Sequence, residues 1–314
     1  MSSLPSQTRP ETATETGAKT APEILCIGSV LWDIIGRAPA HMRAGSDVPG
    51  RIISLPGGVA MNIAMTLARF GMRPAVLTAI GRDSQGEDLI KAARGLGVEC
   101  DHAYRSEDLP TDRYMAIEGA NGLIAAVADA HSLEAAGEKI LRPLFDGTLG
   151  SAAAPWRGPI ALDGNLTTGL LGEIARAPEF AQADLRVAPA SPGKAERLGV
   201  LMTHPRATLY VNLEEAGILC QSEFSDAASA AEGLLARGAR RVLVTDGGKA
   251  AADGAAEGVI TSAPPPVLVT RVTGAGDTFM AAHLVAETRG APRAEALERA
   301  LTAAARYVSG DIHT

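Results

Sequence analysis

After Asp129 the chain alternates short apolar, β-prone runs with helical stretches, and few folds can accommodate that rhythm. The runs are Ile160-Ala161-Leu162-Asp163, Leu185-Arg186-Val187, Thr208-Leu209-Tyr210-Val211 and Val242-Leu243-Val244-Thr245. Runs this apolar cannot leave one face in water, and alternation with helices is how a parallel sheet is covered on both sides. Ile24 to Gly28 and Pro74 to Gly81 are of the same kind. Helices are expected from Gly57-Gly58 through Phe70, with Ile63, Leu67 and Phe70 on one face, and over Asp88–Leu96, Thr278–Arg289 and Arg293–Ser309. A hairpin turning at Gly254 is expected over Ala251–Ser262, and a further strand over Val267–Val269. With 46% hydrophobic but only 4% aromatic residues, the composition suits small-residue helices packed on a sheet. The fold class predicted is α/β with a mostly parallel central sheet.

One segment breaks the rhythm. Tyr114 to Ile117 and Leu123 to Val127 flank Asn121-Gly122, a pair that accepts positive φ and so marks a hairpin. Together with residues 37–54, where Gly45, Pro49 and Gly50 loosen the pattern, residues 102–128 are expected to form a small antiparallel sheet inserted into the core as a lid. Residues 1–22 hold almost no large apolar side chains and read as a disordered tail before one domain over 23–314.

Charge and cysteine usage narrow the function. The formal net charge is −7 and no Lys/Arg run stands out, which argues against a nucleic-acid partner. Three widely spaced cysteines, Cys26, Cys100 and Cys220, suit neither a disulfide framework nor a zinc site. No apolar run approaches the ~20 residues of a membrane span, and the amino terminus lacks a signal peptide's apolar stretch. A cytoplasmic protein with a small-molecule ligand is the expectation.

The segment richest in chemistry is Thr273-Gly274-Ala275-Gly276-Asp277-Thr278-Phe279 at the start of a helix. Glycines let backbone approach an anion closely, and the unpaired amides of the helix start point at it, aided by the helix dipole. Asp277 in the first turn could then accept the proton of an attacking hydroxyl. The bland alternative is a glycine turn followed by a stabilising acidic residue.

The segment Thr273 to Asp277 resembles the signature of the PfkB/ribokinase family of carbohydrate and nucleoside kinases. Further likenesses follow in family order: Asp33; Gly57-Gly58 with Asn62; Gly81 to Gly86; Asn212-Leu213-Glu214-Glu215; and Thr245-Asp246-Gly247-Gly248. The resemblance implies a ribokinase-like three-layer sandwich with a small β-sheet lid. It also implies ATP and Mg²⁺ as cofactors, Asp277 as base, and the Gly274, Ala275, Gly276 and Asp277 amides as anion hole. Asp33, Gly57, Gly58 and Asn62 would hold a nucleoside or sugar. Asn212, Thr245, Gly247 and Thr273 would lie near the nucleotide, and Glu215 would reach Mg²⁺ through water.

Finer likeness points to the pseudouridine kinase branch, whose acceptor is a 5′-hydroxyl. It rests on Thr111-Asp112-Arg113-Tyr114, Ala126 to Asp129, Asp163-Gly164-Asn165-Leu166 and Ala190 to Ala195. By that likeness Thr111, Tyr114 and Asn165 contact the acceptor and Lys194 lies near the phosphates. Kinases of other sugars or purine nucleosides differ from this branch at few positions, and a catalytically silent sensor on the same fold is the alternative of another class. A dehydrogenase is disfavoured because Gly28-Ser29-Val30 lacks the glycine fingerprint of a dinucleotide site. Two departures stand out: Ala188 replaces an Asp of that branch, and Arg271 replaces a residue that helps hold K⁺ in many relatives. An arginine cannot ligate K⁺, so weak or absent K⁺ activation is expected. By the same analogy, the lid sheet could pair with a second copy to form a homodimer.

Overall fold

The computed structural model of the protein describes residues 21–43 and 45–311; the tail expected over residues 1–22 lies, up to residue 20, outside them. Up to Gly81 the chain forms β1 (Ile24–Ile27), β2 (Leu31–Arg37), β3 (Arg51–Gly57), α1 (Val59–Arg69), β4 (Pro74–Leu77) and β5 (Ala79–Gly81). Helix α2 (Ser84–Gly95), strand β6 (Tyr104–Ser106), the hairpin of β7 (Arg113–Gly119) and β8 (Gly122–Asp129), and short helices α3 (Ser132–Ala136) and α4 (Arg142–Phe145) follow. The alternating half comprises β9 (Pro159–Asp163), α5 (Thr168–Arg176), β10 (Asp184–Ala188), β11 (Ala207–Asn212), α6 (Leu213–Cys220), α7 (Ala227–Ala236) and β12 (Arg241–Thr245). A 3₁₀ stretch, Pro192–Leu201, joins β10 to β11. The hairpin β13 (Ala251–Ala255) and β14 (Gly258–Ser262) precedes α8 (Ala275–Thr288) and α9 (Arg293–Ser309).

Eight strands form the main sheet in the order β14-β13-β12-β11-β10-β9-β1-β4. From β4 to β12 every neighbour is parallel, and only β13 runs the other way, pairing antiparallel with both β12 and β14. Parallel pairing puts the carboxyl ends of β1, β9, β11 and β12 along one edge, where ligands of open α/β sheets bind. Two buried clusters cover the sheet. One packs α5, α6 and α7 side chains such as Leu171, Ala216 and Leu234; the other packs Ile63, Leu89, Met280 and Leu301 of α1, α2, α8 and α9. The far end of α8 is pinned to the sheet by Glu287, which pairs with Arg186 at 2.5 Å and Arg241 at 2.6 Å.

A four-stranded sheet, ordered β3-β2-β7-β8, stands apart from the main one. The hairpin at Asn121-Gly122 forms as expected, with Gly122 at φ 91°. Register places Leu55, Asp33, Tyr114 and Ala128 in one row across the sheet, and Ser54, Ile34, Met115 and Val127 on the opposite face. The sheet is mixed and not antiparallel throughout as expected, since β2 and β7 pair in parallel, and its boundaries also differ. The sheet begins at Leu31, with Asp33 inside β2; of the described residues in 37–54 only Arg37 and Arg51 to Ser54 are in strand. Tyr104–Ser106 pairs with β5 in a separate two-stranded sheet.

Two further expectations fail. The hairpin after β12 turns at Ala256-Glu257, and Gly254 sits within β13 opposite Val259; Gly258, at φ 106°, takes up the conformation the turn needs. Val267 to Val269 form no strand, and Leu268 is 82% exposed. Pro264-Pro265-Pro266 explain this, because three residues without amide hydrogens cannot lead a chain into a sheet ladder.

Candidate active site

The start of α8 is the centre of the site. Gly274, its N-cap, adopts φ 86° and offers no side-chain cap. The amide of Ala275 is not part of an open anion hole as expected; it donates to the Val272 carbonyl at 3.1 Å and closes the turn. The amides of Gly274, Gly276 and Asp277 have no acceptor among the described residues, because the first turn of a helix lacks partners four residues back. Three donors without an acceptor thus sit at the positive end of α8, in the same turn as the Asp277 side chain.

Asp277 is held by α1. Asn62 Nδ2 donates to Asp277 Oδ2 at 2.9 Å, so the Asn expected to touch the acceptor orients the Asp277 carboxylate. Burial pushes the Asp277 carboxyl up from 3.8 to about 7; the Asn62 hydrogen bond opposes the shift, and the charges of Asp163, Asp33 and Glu215 add to it. Those residues come from three places: Asp163 ends β9, Asp33 lies on β2, and Glu215 occupies the first turn of α6. Asp33 is likewise raised by burial, to about 6.

Glycines make these approaches feasible. A Cβ on Gly57 would lie 2.1 Å from Asp33 Oδ2, and one on Gly58, at φ 92°, would lie 2.4 Å from the Ser29 carbonyl. Only bare backbone lets the Asp33 carboxylate lie across the β3–α1 junction. Tyr114 is Asp33's register partner on β7 and shares its face.

Asp163 is the site residue that sequence reasoning left out of its candidates. It is 0% exposed and accepts from Ser29 N at 2.8 Å, Asn165 N at 2.7 Å and Asn165 Nδ2 at 2.9 Å. Burial raises its carboxyl, which those bonds and the Lys194 charge partly offset. Asn165 Oδ1 accepts in turn from Lys194 Nζ, forming a chain from the buried acid to the lysine. An acid closing an apolar strand was the available signal, but its partner Ser29 is 134 residues away.

Asn212 and Glu215 form a capping box at α6. Glu215 N donates to Asn212 Oδ1 at 2.9 Å, and Asn212 N donates to Glu215 Oε2 at 2.8 Å. Glu215 is buried, and burial raises its carboxyl. Thr245 at the end of β12 is Asn212's register partner, and Gly247, at φ 55°, turns the chain just beyond. Among the described residues no group of three or more His, Cys, Asp or Glu side chains is spaced to hold a metal ion.

Thr111 does not face the cleft as expected. It is 2% exposed, its hydroxyl donates to Asp83 Oδ1 at 2.6 Å and its amide to Asp83 Oδ2 at 2.8 Å. Asp83 also caps α2 through Gly86 N at 2.7 Å, so Thr111 ties the approach to β7 onto that helix start. Thr273, Gly274 and Arg271 pack against Tyr307 of α9, described below.

A parallel sheet with a half-buried carboxylate in the same turn as open helix-start amides at its carboxyl edge is the framework of an ATP-dependent small-molecule kinase. The chain belongs to the pfkB family of carbohydrate kinases, whose family model matches residues 21–310. It is 28% identical over 294 residues to the pseudouridine kinase of Escherichia coli K12, covering 87% of this chain and 86% of that one. A carbohydrate kinase from Agrobacterium tumefaciens superimposes with TM-score 0.77 at 28% identity, covering 94% of this chain and 93% of that one. Arabidopsis thaliana ribokinase complexed with ribose and ATP gives TM-score 0.74 at 21% identity over 92% and 93% of the two chains, a likeness of fold. No described helix is long and apolar enough to cross a membrane.

The raised Asp277 carboxyl makes a prediction about stability. A carboxyl with a higher pKa in the folded chain holds its proton more tightly there, so stability is lost as pH rises from about 4 to about 7. Asp277→Asn removes the charge and keeps the shape. In denaturant melts the variant is expected to exceed wild type by about 1–4 kcal/mol at pH 8 and to match it near pH 4. A variant less stable than wild type at pH 8 would contradict the burial of this charge.

Proposed function

We propose that the chain transfers a phosphoryl group from ATP to the 5′-hydroxyl of a nucleoside, with pseudouridine as the acceptor. The observation that carries the reaction is Asp277 standing at the open amides of Gly274, Gly276 and Asp277 with its carboxyl raised to about 7, the range of a base poised for neutral pH. The choice of acceptor draws on the pseudouridine kinase relative, which aligns with 87% of the chain.

In this reading Asp33, the Gly57-Gly58 backbone and Tyr114 hold the acceptor from the smaller sheet, which serves as a lid. Asn62 and Asn165 complete the acceptor side. Asp277 takes the hydroxyl proton, Asn62 keeps the carboxylate aimed, and the three open amides carry charge that grows on the moving phosphoryl oxygens. ATP bound with Mg²⁺ supplies the phosphoryl group, with the ion offsetting phosphate charge. Asn212, Thr245, Gly247, Thr273 and Lys194 line the phosphate side. Glu215 has one carboxylate oxygen outside the capping box for a water-linked contact to the ion.

ADP release with a panel of nucleosides and sugars tests the proposal. Pseudouridine is expected to give the highest kcat/KM, and Asp277→Asn to lose at least about two decades in kcat while ATP still binds. The same assay is expected to run equally fast in K⁺ and in tetramethylammonium, because Arg271 places a fixed charge beside the turn. Preference for ribose or adenosine would overturn the acceptor, and a large K⁺ stimulation the role of Arg271.

The outer face of the lid exposes Ile52, Met115, Ile117 and Val127 in one patch, which we propose pairs with a second copy. Light scattering is expected to give a dimer that Met115→Glu/Val127→Glu splits; a wild-type monomer at tens of micromolar would rule this out.

A further inference from the structure

The backbone ahead of the anion hole is held by an unusual set of contacts. Residues 263–269 form no regular structure, so no sheet ladder locates the glycine turn from upstream. The turn is instead strapped to the end of α9. Thr270 N donates to Val308 O at 2.8 Å, Arg271 N to the same carbonyl at 3.2 Å, and Thr270 Oγ1 to it at 3.0 Å. Arg271 Nε donates to Tyr307 O at 2.8 Å, and its guanidinium lies 3.9 Å over the Tyr307 ring. The Tyr307 hydroxyl then donates to Thr273 O at 3.0 Å. A Cβ on Gly274 would lie 2.5 Å from that hydroxyl, so the tyrosine rests directly against the first open amide's residue.

We infer that Tyr307 is a positioning residue for the anion hole: its hydroxyl fixes the height and tilt of the Thr273–Gly274 peptide, and with it the open amides that follow. The inference deepens the kinase reading and rests on it for its catalytic consequence. Displacing an oxyanion donor by a fraction of an ångström weakens transition-state contacts more than ground-state binding. Tyr307 touches no reacting atom in this arrangement and acts through the backbone alone. Arg271 supports it by stacking on the ring, so its charge serves the turn's geometry as well as its electrostatics.

Tyr307→Phe keeps the ring and the Arg271 stack and removes only the hydroxyl. Amide hydrogen exchange at Thr270, Arg271, Ala275 and Thr278, the amides of this stretch that have acceptors, is expected to quicken about tenfold, with β1, β9 and the middle of α9 unchanged and the melting temperature little altered. In steady-state assays kcat should fall about tenfold while KM for ATP and for the acceptor stay within about twofold. Affinity for ADP–aluminium fluoride in the presence of acceptor should fall in parallel with kcat, while affinity for ADP alone holds; a merely structural role would not separate these two ligands. Tyr307→Leu, which also loses the stack, should lose more on both measures.

Unchanged exchange at those amides in the Phe variant overturns the strap. Quickened exchange with wild-type kcat and wild-type analogue binding overturns the catalytic consequence. Should the wild-type protein phosphorylate no acceptor, the kinase reading fails, and the exchange measurement decides whether Tyr307 holds the turn.

Discussion

The carboxylate proposed as the base sits where the protein disfavours charge, and much of the structure is arranged around that conflict. Asp277 is crowded by protein and by three other acids, Asp33, Asp163 and Glu215, all of which raise its affinity for a proton. Opposing them are a single hydrogen bond from Asn62 and the dipole of α8. The balance leaves the group near 7, where a base is half-loaded at neutral pH and strong enough to accept a proton from an alcohol made more acidic in the transition state. Further from the cluster, Lys194 offsets part of the charge through Asn165 and Asp163. Full ionisation of all four acids is disfavoured until positive charge enters, which in the proposed reaction a nucleotide-bound cation would supply.

The scaffold supplies this balance by topology more than by local contacts. The four acids belong to segments far apart in sequence, and the parallel sheet brings the ends of β9 and β11 to the same edge as the start of α8. The smaller sheet delivers Asp33 from the side, across Gly57, with no Cβ to obstruct it. Pinning Glu287 between Arg186 and Arg241 at the far end of α8 keeps the helix, and so its first turn, in a fixed orientation over the sheet.

Features set by neighbours in sequence were legible before the structure. The parallel rhythm, the Asn121-Gly122 hairpin, the helix start at Gly58 and the turn into α8 each depend on a few adjacent residues whose conformational limits are known. Features set by distant partners were not. Thr111 reads as a lid residue until Asp83 is found holding it, and Asp163 reads as a strand end until Ser29 and Asn165 are seen to surround it. Tyr307 carried no signal at all, since its role arises only when α9 folds back onto Thr273. Val267 to Val269 are β-prone in composition, but the three prolines ahead of them keep them out of a sheet ladder. At Ala275 the helix-start pattern was right in kind, but one of its amides closes the turn itself.

The most direct test of Asp277 as a base is the pH dependence of kcat/KM for the acceptor with ATP held far below its KM, where the profile reports the ligand-free protein. The log of that ratio is expected to climb by one decade per pH unit up to about 7 and then level off, as a single carboxylate with a raised pKa must lose its proton before it can act. A profile that stays flat from pH 5.5 to pH 8.5 would contradict the central role given to this group.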